Sequence, residues 1–219
     1  MCFNATASFV ASGSLALAGG VALSVAKKED RLLAAIPLLF AFQQFLEGLQ
    51  WLSAHPSVAC NVYGYGFLSM AIFLWPIYIP LTALSLETRE DRKRLQKRFL
   101  WCGIVFSLFL LYRSFTSPLV VEMHPYGIHY NDTGSLGVLF ILIHLCIVCG
   151  SSIACSNSFF RRWGLALSVL ALIAIAVSAW GFISVWCFFS ALLSASICVY
   201  LLKKNTNLLK PKQMKRHSV

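Results

Sequence analysis

The chain reads as an all-α integral membrane protein, a bundle of about seven transmembrane helices with the N-terminus outside the cell and the C-terminus in the cytoplasm. Three observations predict this. Hydrophobic residues make up 58% of the chain and charged residues 12%, whereas soluble domains carry about a quarter charged. Apolar runs close to the roughly 20 residues that cross a hydrocarbon core recur along its whole length. Basic residues fall in every second connecting loop, as the positive-inside rule requires of a multipass chain. The runs are continuous rather than alternating, which favours helices over an outer-membrane barrel, since a helix satisfies its own backbone in lipid.

The first span, 5–26, has no basic residue before its apolar part and so reads as a retained helix, not a cleaved signal peptide. Its Gly13, Ala16, Ala18, Gly19, Gly20 and Ala22 would let another helix approach closely. The second span, 32–54, is apolar apart from one polar stretch, and the third, 63–86, holds Trp75, Pro76, Tyr78 and Pro80. Those prolines should bend the helix and free backbone carbonyls. The fourth, 99–118, carries Arg113, and the fifth, 136–154, carries His144, Cys146 and Cys149. The sixth and seventh, 163–181 and 182–202, form one apolar stretch of about 40 residues, too long for a single crossing. A turn at Gly181, between Trp180 and Trp186, divides it, because glycine permits a sharp turn and tryptophan prefers the interface. Residues 203–219 form a basic tail, so residues 1–202 make up the transmembrane domain.

Lys27, Lys28 and Arg31 follow the first span; Arg89, Arg92, Lys93, Arg94, Lys97 and Arg98 the third; Arg161 and Arg162 the fifth; Lys203, Lys204, Lys210, Lys212, Lys215 and Arg216 the seventh. Only Arg113 lies outside that cytoplasmic set. The net charge of +10 therefore marks topology and contacts with anionic lipid head groups, and it excludes nucleic acid as the partner. No nucleotide loop, dinucleotide fingerprint, nucleophile elbow, zinc-protease helix or internal repeat is present, so direct ATP hydrolysis is not expected.

Polarity inside the second span needs a reason. At 100° per residue Gln43, Gln44, Glu47, Gln50, Trp51 and His55 fall within an arc of roughly 140°, one stripe on one face. A carboxylate in hydrocarbon needs a partner, a proton or water, which makes Glu47 a candidate functional residue. Arg113, at a similar depth in the fourth span, is its expected partner, as a structural ion pair or as part of a substrate or ion site. The predicted ligand-binding set is Gln43, Gln44, Glu47, Trp51 and Arg113. His55, His124 and His129, with Glu122 and Asp132 nearby, are the candidate metal ligands, although their spacing matches no standard zinc signature. His144 beside an outer histidine is compatible with haem but reads more simply as a hydrogen-bonded core residue. Cys2 and Cys60 fall on the oxidising side, where a disulfide between them would tie the tip to the loop. Asn4-Ala5-Thr6 and Asn131-Asp132-Thr133 fit the short glycan acceptor pattern.

The opening Met1-Cys2-Phe3-Asn4-Ala5-Thr6-Ala7-Ser8-Phe9, together with Gln43-Gln44-Phe45-Leu46-Glu47-Gly48 and Trp51, resembles an uncharacterised family of bacterial multipass proteins, in which serine commonly stands at the place of Asn4. The resemblance covers the first two spans and implies a bacterial inner-membrane location and a similar helix count, without an activity. The function expected of the residues is transport or binding of a small solute or cation at an outward-opening site. An intramembrane metal-assisted hydrolase, with Glu47 as general base, and an accessory or structural subunit are the alternatives.

Overall fold

The computed structural model describes residues 4–53, 58–116, 119–124, 127–132 and 138–209. Asn4 caps the first helix, α1 (Ala5–Val25), accepting from the Ala7 N–H at 2.9 Å. That cap gives the asparagine of the first glycan-like pattern a structural role. A short 3-10 turn, Lys28–Asp30, leads into α2 (Arg31–Leu52). Next come α3 (Val58–Leu68), a π-helical segment (Ser69–Leu74) and α4 (Trp75–Leu86), which run on without a break. Then follow α5 (Glu90–Thr116), a hairpin of β1 (Leu119–His124) and β2 (Gly127–Asp132), α6 (Val138–Ala154), α7 (Ser158–Val177) and α8 (Phe182–Leu209). Between α7 and α8 the Ser178 hydroxyl accepts from the Gly181 N–H at 3.0 Å, and the Gly181 carbonyl starts α8 by accepting from Val185.

Among the described residues six helical stretches are long and apolar enough to cross a membrane; α6, at 17 residues, is shorter. Large apolar side chains lie bare on the outer faces of α5 (Trp101, Val105, Leu108) and α7 (Val169, Leu172). Exposure on that scale suits lipid rather than water. Inside, α1 packs on α2 and α8, α4 on α5 and α6, α6 on α7, and α7 on α8. One apolar core runs through α1, α2, α4, α6, α7 and α8; a second joins α3, the π segment and α5 to the hairpin.

Prolines shape the middle of the bundle. Pro76 has no N–H to give the preceding turn, and the π segment ends just before it. The Phe73 carbonyl of that segment accepts from the Ser107 hydroxyl of α5 at 3.0 Å. Pro80 likewise leaves the Pro76 carbonyl without its helical donor, and Gly103 of α5 presses against it, so closely that a Cβ there would stand 1.9 Å from the oxygen.

At the basic end, buried acidic groups pin the helix ends. Lys204 of α8 reaches Asp30 at 2.6 and 2.8 Å, and the Asn205 amide donates to the Val25 carbonyl. Glu87, 4% exposed, accepts from the N–H groups of Thr88, Arg89 and Ser156 at 2.8 to 3.0 Å, joining the α4–α5 turn to the α6–α7 turn. Burial opposes its charge, and those hydrogen bonds overcome burial, holding the carboxyl below its ordinary 4.5. A depressed folded value means stability that is present above about pH 4.5 and lost as pH falls through the folded value. Acidifying from pH 6 towards 3 should therefore lower the Tm of the wild type more steeply than that of Glu87→Gln; parallel curves would refute the linkage.

Candidate functional site

The polar residues of α2 are buried together. Gln43, Gln44 and Gln50 are fully buried and Glu47 is 2% exposed. Gln43 and Glu47 are met by other helices, and Gln44 by Glu47 itself. The Trp75 indole of α4 donates to Gln43 Oε1 at 2.8 Å, Gln44 Nε2 donates to Glu47 Oε2 at 3.0 Å, and the Ser184 hydroxyl at the start of α8 donates to Glu47 Oε1. The second polar atoms of two glutamines, Gln43 Nε2 and Gln44 Oε1, are buried without a hydrogen-bond partner. Behind the stripe, Gly48 lies against the Phe9 ring of α1, where any Cβ would come within 2.7 Å of a ring carbon.

The hairpin closes the stripe from above. In its register Val121 faces Tyr130 and Met123 faces Ile128, so Leu119, Val121, Met123, Ile128 and Tyr130 share one face. Leu119, Ile128 and Tyr130 on that face are buried, and the Tyr130 ring stacks on Phe67 of α3 at 4.8 Å. The covering is close at two points. A Cβ on Gly64 of α3 would touch Leu119, Val121 and Gln50 Oε1 at 3.0 to 3.3 Å, and one on Gly127 would stand 3.5 Å from the Ser184 hydroxyl. The site expected to open outward is thus roofed by a folded hairpin. Tyr130→Ala should remove roughly 3 kcal/mol or more of packing and expose the stripe to water, read as faster labelling of a cysteine placed at Ser184.

The expected Glu47–Arg113 pair is not formed. Glu47 is held by Gln44 and Ser184, while Arg113, near the hairpin end of α5, makes its contacts elsewhere. The reason is adjacency: α2 packs chiefly on α1, α3 and α8, whereas α5 packs on α4, α6 and the π segment. Trp51 is half-buried against the hairpin-end core.

On the hairpin's other face the His124 and His129 rings lie 6.1 Å apart, and Glu122 stands opposite His129 and 3.7 Å from His124. His129 Nδ1 meets the Trp180 carbonyl at 2.6 Å. Among the described residues no group of three side chains converges as a metal site, and His55 lies outside them. So do Cys2 and the side chains of Cys60 and Asn131. His144 is buried between Phe106 and Trp186.

A family model for a family of unknown function, DUF6629, matches residues 1–214. The chain belongs to that family. No curated protein and no solved structure matches it. The DUF6629 match carries the resemblance seen in the first two spans over nearly the whole chain, and with it comes no activity.

Two parts of this DUF6629 site escaped the sequence reading, and both leave a signal. The hairpin shows strand alternation in Val121-Glu122-Met123-His124 and Ile128-His129-Tyr130. Ser184 begins a row of small buried residues on α8, Cys187, Ala191, Ser194 and Cys198, at helical spacing.

Proposed function

We propose that the chain is a membrane transporter or binding protein for a small cation, or a small solute bearing one, with Glu47 as the group that holds the charge. In this reading it crosses a bacterial inner membrane seven times, α6 being the short crossing, with the N-terminus outside and the basic tail in the cytoplasm. The loop charges support that orientation, since the basic residues outside Arg113 gather at one end.

One observation carries the functional reading: a fully enclosed carboxylate whose hydrogen-bond partners, among the described residues, are a neutral amide and a neutral hydroxyl. An ionised carboxylate buried without a counter-charge is strongly disfavoured, so its charge is cancelled by a proton or by a captured cation. Oxygens of Glu47 and Ser184 meet there, and the amide that donates to Glu47 carries the unpartnered Gln44 Oε1, a set that suits a hard ion or an ammonium group. The hairpin supplies the cover that such a site needs to exclude water. Arg113 belongs to the outer approach in this scheme, and Gln43 and Trp51 to the wall.

The test is thermal unfolding of purified protein in sodium, potassium, methylammonium and choline chlorides. At least one of the first three should raise the Tm of the wild type by several degrees over choline through binding to the folded state. Glu47→Gln should unfold at one temperature in all four salts, and above the wild type in choline. A wild type indifferent to every cation would sink the reading.

A further inference from the structure

A groove of about 440 Å³ lies between α3 with its π segment and α5, close to the hairpin. Leu68 and Ile72 are buried at its floor, and Tyr65, Ser69, Phe73, Leu111 and Ser114 complete the walls. Hydrogen bonds fasten those walls to their neighbours: Ser107 of α5 donates to the Phe73 carbonyl at 3.0 Å, and the Leu119 N–H of β1 donates to the Tyr65 phenol at 3.1 Å. Ser69, Ile72 and Phe73 all belong to the π segment, a rare conformation that gathers at functional sites. Tyr65, Ser69 and Leu111 are exposed, so the groove opens on the outside of the bundle, where bare side chains such as Val62 and Leu108 suit lipid. Its size falls within the roughly 300–1,000 Å³ of small-molecule sites.

The surface of this groove is partly polar, and its lining holds three side-chain oxygens, the hydroxyls of Tyr65, Ser69 and Ser114. Their hydrogen bonds decide what each can still do. Ser69 donates to the Tyr65 carbonyl at 2.7 Å and Ser114 to the Leu110 carbonyl at 3.0 Å, so both serines have committed their protons and keep lone pairs. Tyr65 is the reverse: its oxygen accepts from Leu119, and among the described residues its own proton has no acceptor. The groove therefore offers one donor and two acceptors above an apolar floor. No charged side chain lines it, so an anionic head group would find no counter-charge there. We propose that the groove binds an uncharged glyceride, a diacylglycerol drawn from the bilayer. An ester carbonyl accepts from Tyr65, the free glycerol hydroxyl donates to the serine pair, and the start of an acyl chain lies on Leu68 and Ile72. This site goes beyond the reading of Glu47 and shares no residue with it.

The test is binding of tritiated dioctanoylglycerol to the intact protein in detergent. Uptake should saturate at one lipid per chain. Ethylene glycol dioctanoate, which lacks the hydroxyl, and dioctanoylphosphatidic acid, which adds a charge, should each compete at least tenfold more weakly than unlabelled dioctanoylglycerol. Tyr65→Phe removes the donor and Ser69→Leu fills the groove, and each should weaken binding at least tenfold. Glu47→Gln should bind the lipid like the wild type, whatever its response to cations. Uptake that never saturates would be partition into the micelle only and would overturn the site. So would equal competition by either analogue, a result read on the wild type and therefore independent of how the variants fold.

Discussion

Gly103→Ala is expected to destabilise the bundle by about 3 kcal/mol or more, enough to strip most of the folded protein from a detergent extract. Glycine is ordinarily a weak helix residue, and alanine in its place gains roughly 0.5–1 kcal/mol where space allows. At Gly103 space does not allow it. The Cβ would fall 1.9 Å from the Pro76 oxygen and 2.8 Å from the carbonyl carbon, and backbone cannot swing aside as a side-chain tip can. The carbonyl is there because Pro80, four residues on, has no N–H to bind it, so α4 turns a bare oxygen towards α5. Separating the two helices would also break the Ser107 bond to Phe73. Gly13→Ala and Gly20→Ala supply the contrast, since a Cβ at either meets nothing within 4 Å. Their Tm should hold or rise. A Gly103→Ala protein with the wild-type Tm would show that α4 and α5 do not pack as described.

That contrast marks how far a sequence alone can go. Run length and hydropathy revealed the helices because lipid imposes one rule on every residue of a crossing. Spacing placed Gln43, Gln44, Glu47 and Gln50 on one face of α2, since the angle between residues on a helix is local geometry. Which helix meets that face is a matter of tertiary arrangement, and there charge complementarity misled: Arg113 attracted attention as a charge, while Ser184, a neutral residue in an apolar helix, holds the carboxylate. The hairpin was hidden for another reason. Its histidines and carboxylates resemble a solvated loop, and the apolar Val121, Met123, Ile128 and Tyr130 alternate with them over only a few residues on each strand. Glycines give the same lesson. Gly13, Gly19 and Gly20 look alike in the sequence, yet only Gly19 touches α2, with a Cβ position 2.6 Å from Leu38.

Lys204→Met should cost roughly 3–5 kcal/mol, far more than removal of its partner. Asp30 has a side chain 3% exposed, and Lys204 brings it two contacts, at 2.6 and 2.8 Å, from a side chain still 32% exposed. The pair is therefore unequal. Without Lys204 the carboxylate is left buried and uncompensated at the turn from α1 to α2; without Asp30 the ammonium can move towards water and keep its hydration. Asp30→Asn should thus lower the Tm by no more than about a third of the drop seen for Lys204→Met. The double variant should recover most of the loss, because it removes the stranded charge along with its lost partner. Equal penalties for the two single changes would mean that both groups are equally desolvated, and the burial assigned to Asp30 would then be wrong. The asymmetry also bears on α8, whose far end carries Ser184: Lys204 and Asn205 fasten that helix to the α1–α2 turn at the basic end, while Ser184 fastens it to Glu47 on α2 towards the hairpin end. Releasing the first anchor should therefore loosen the second, so Lys204→Met should diminish the cation-dependent rise in Tm as well as the Tm itself, although residue 204 lies far along α8 from the site.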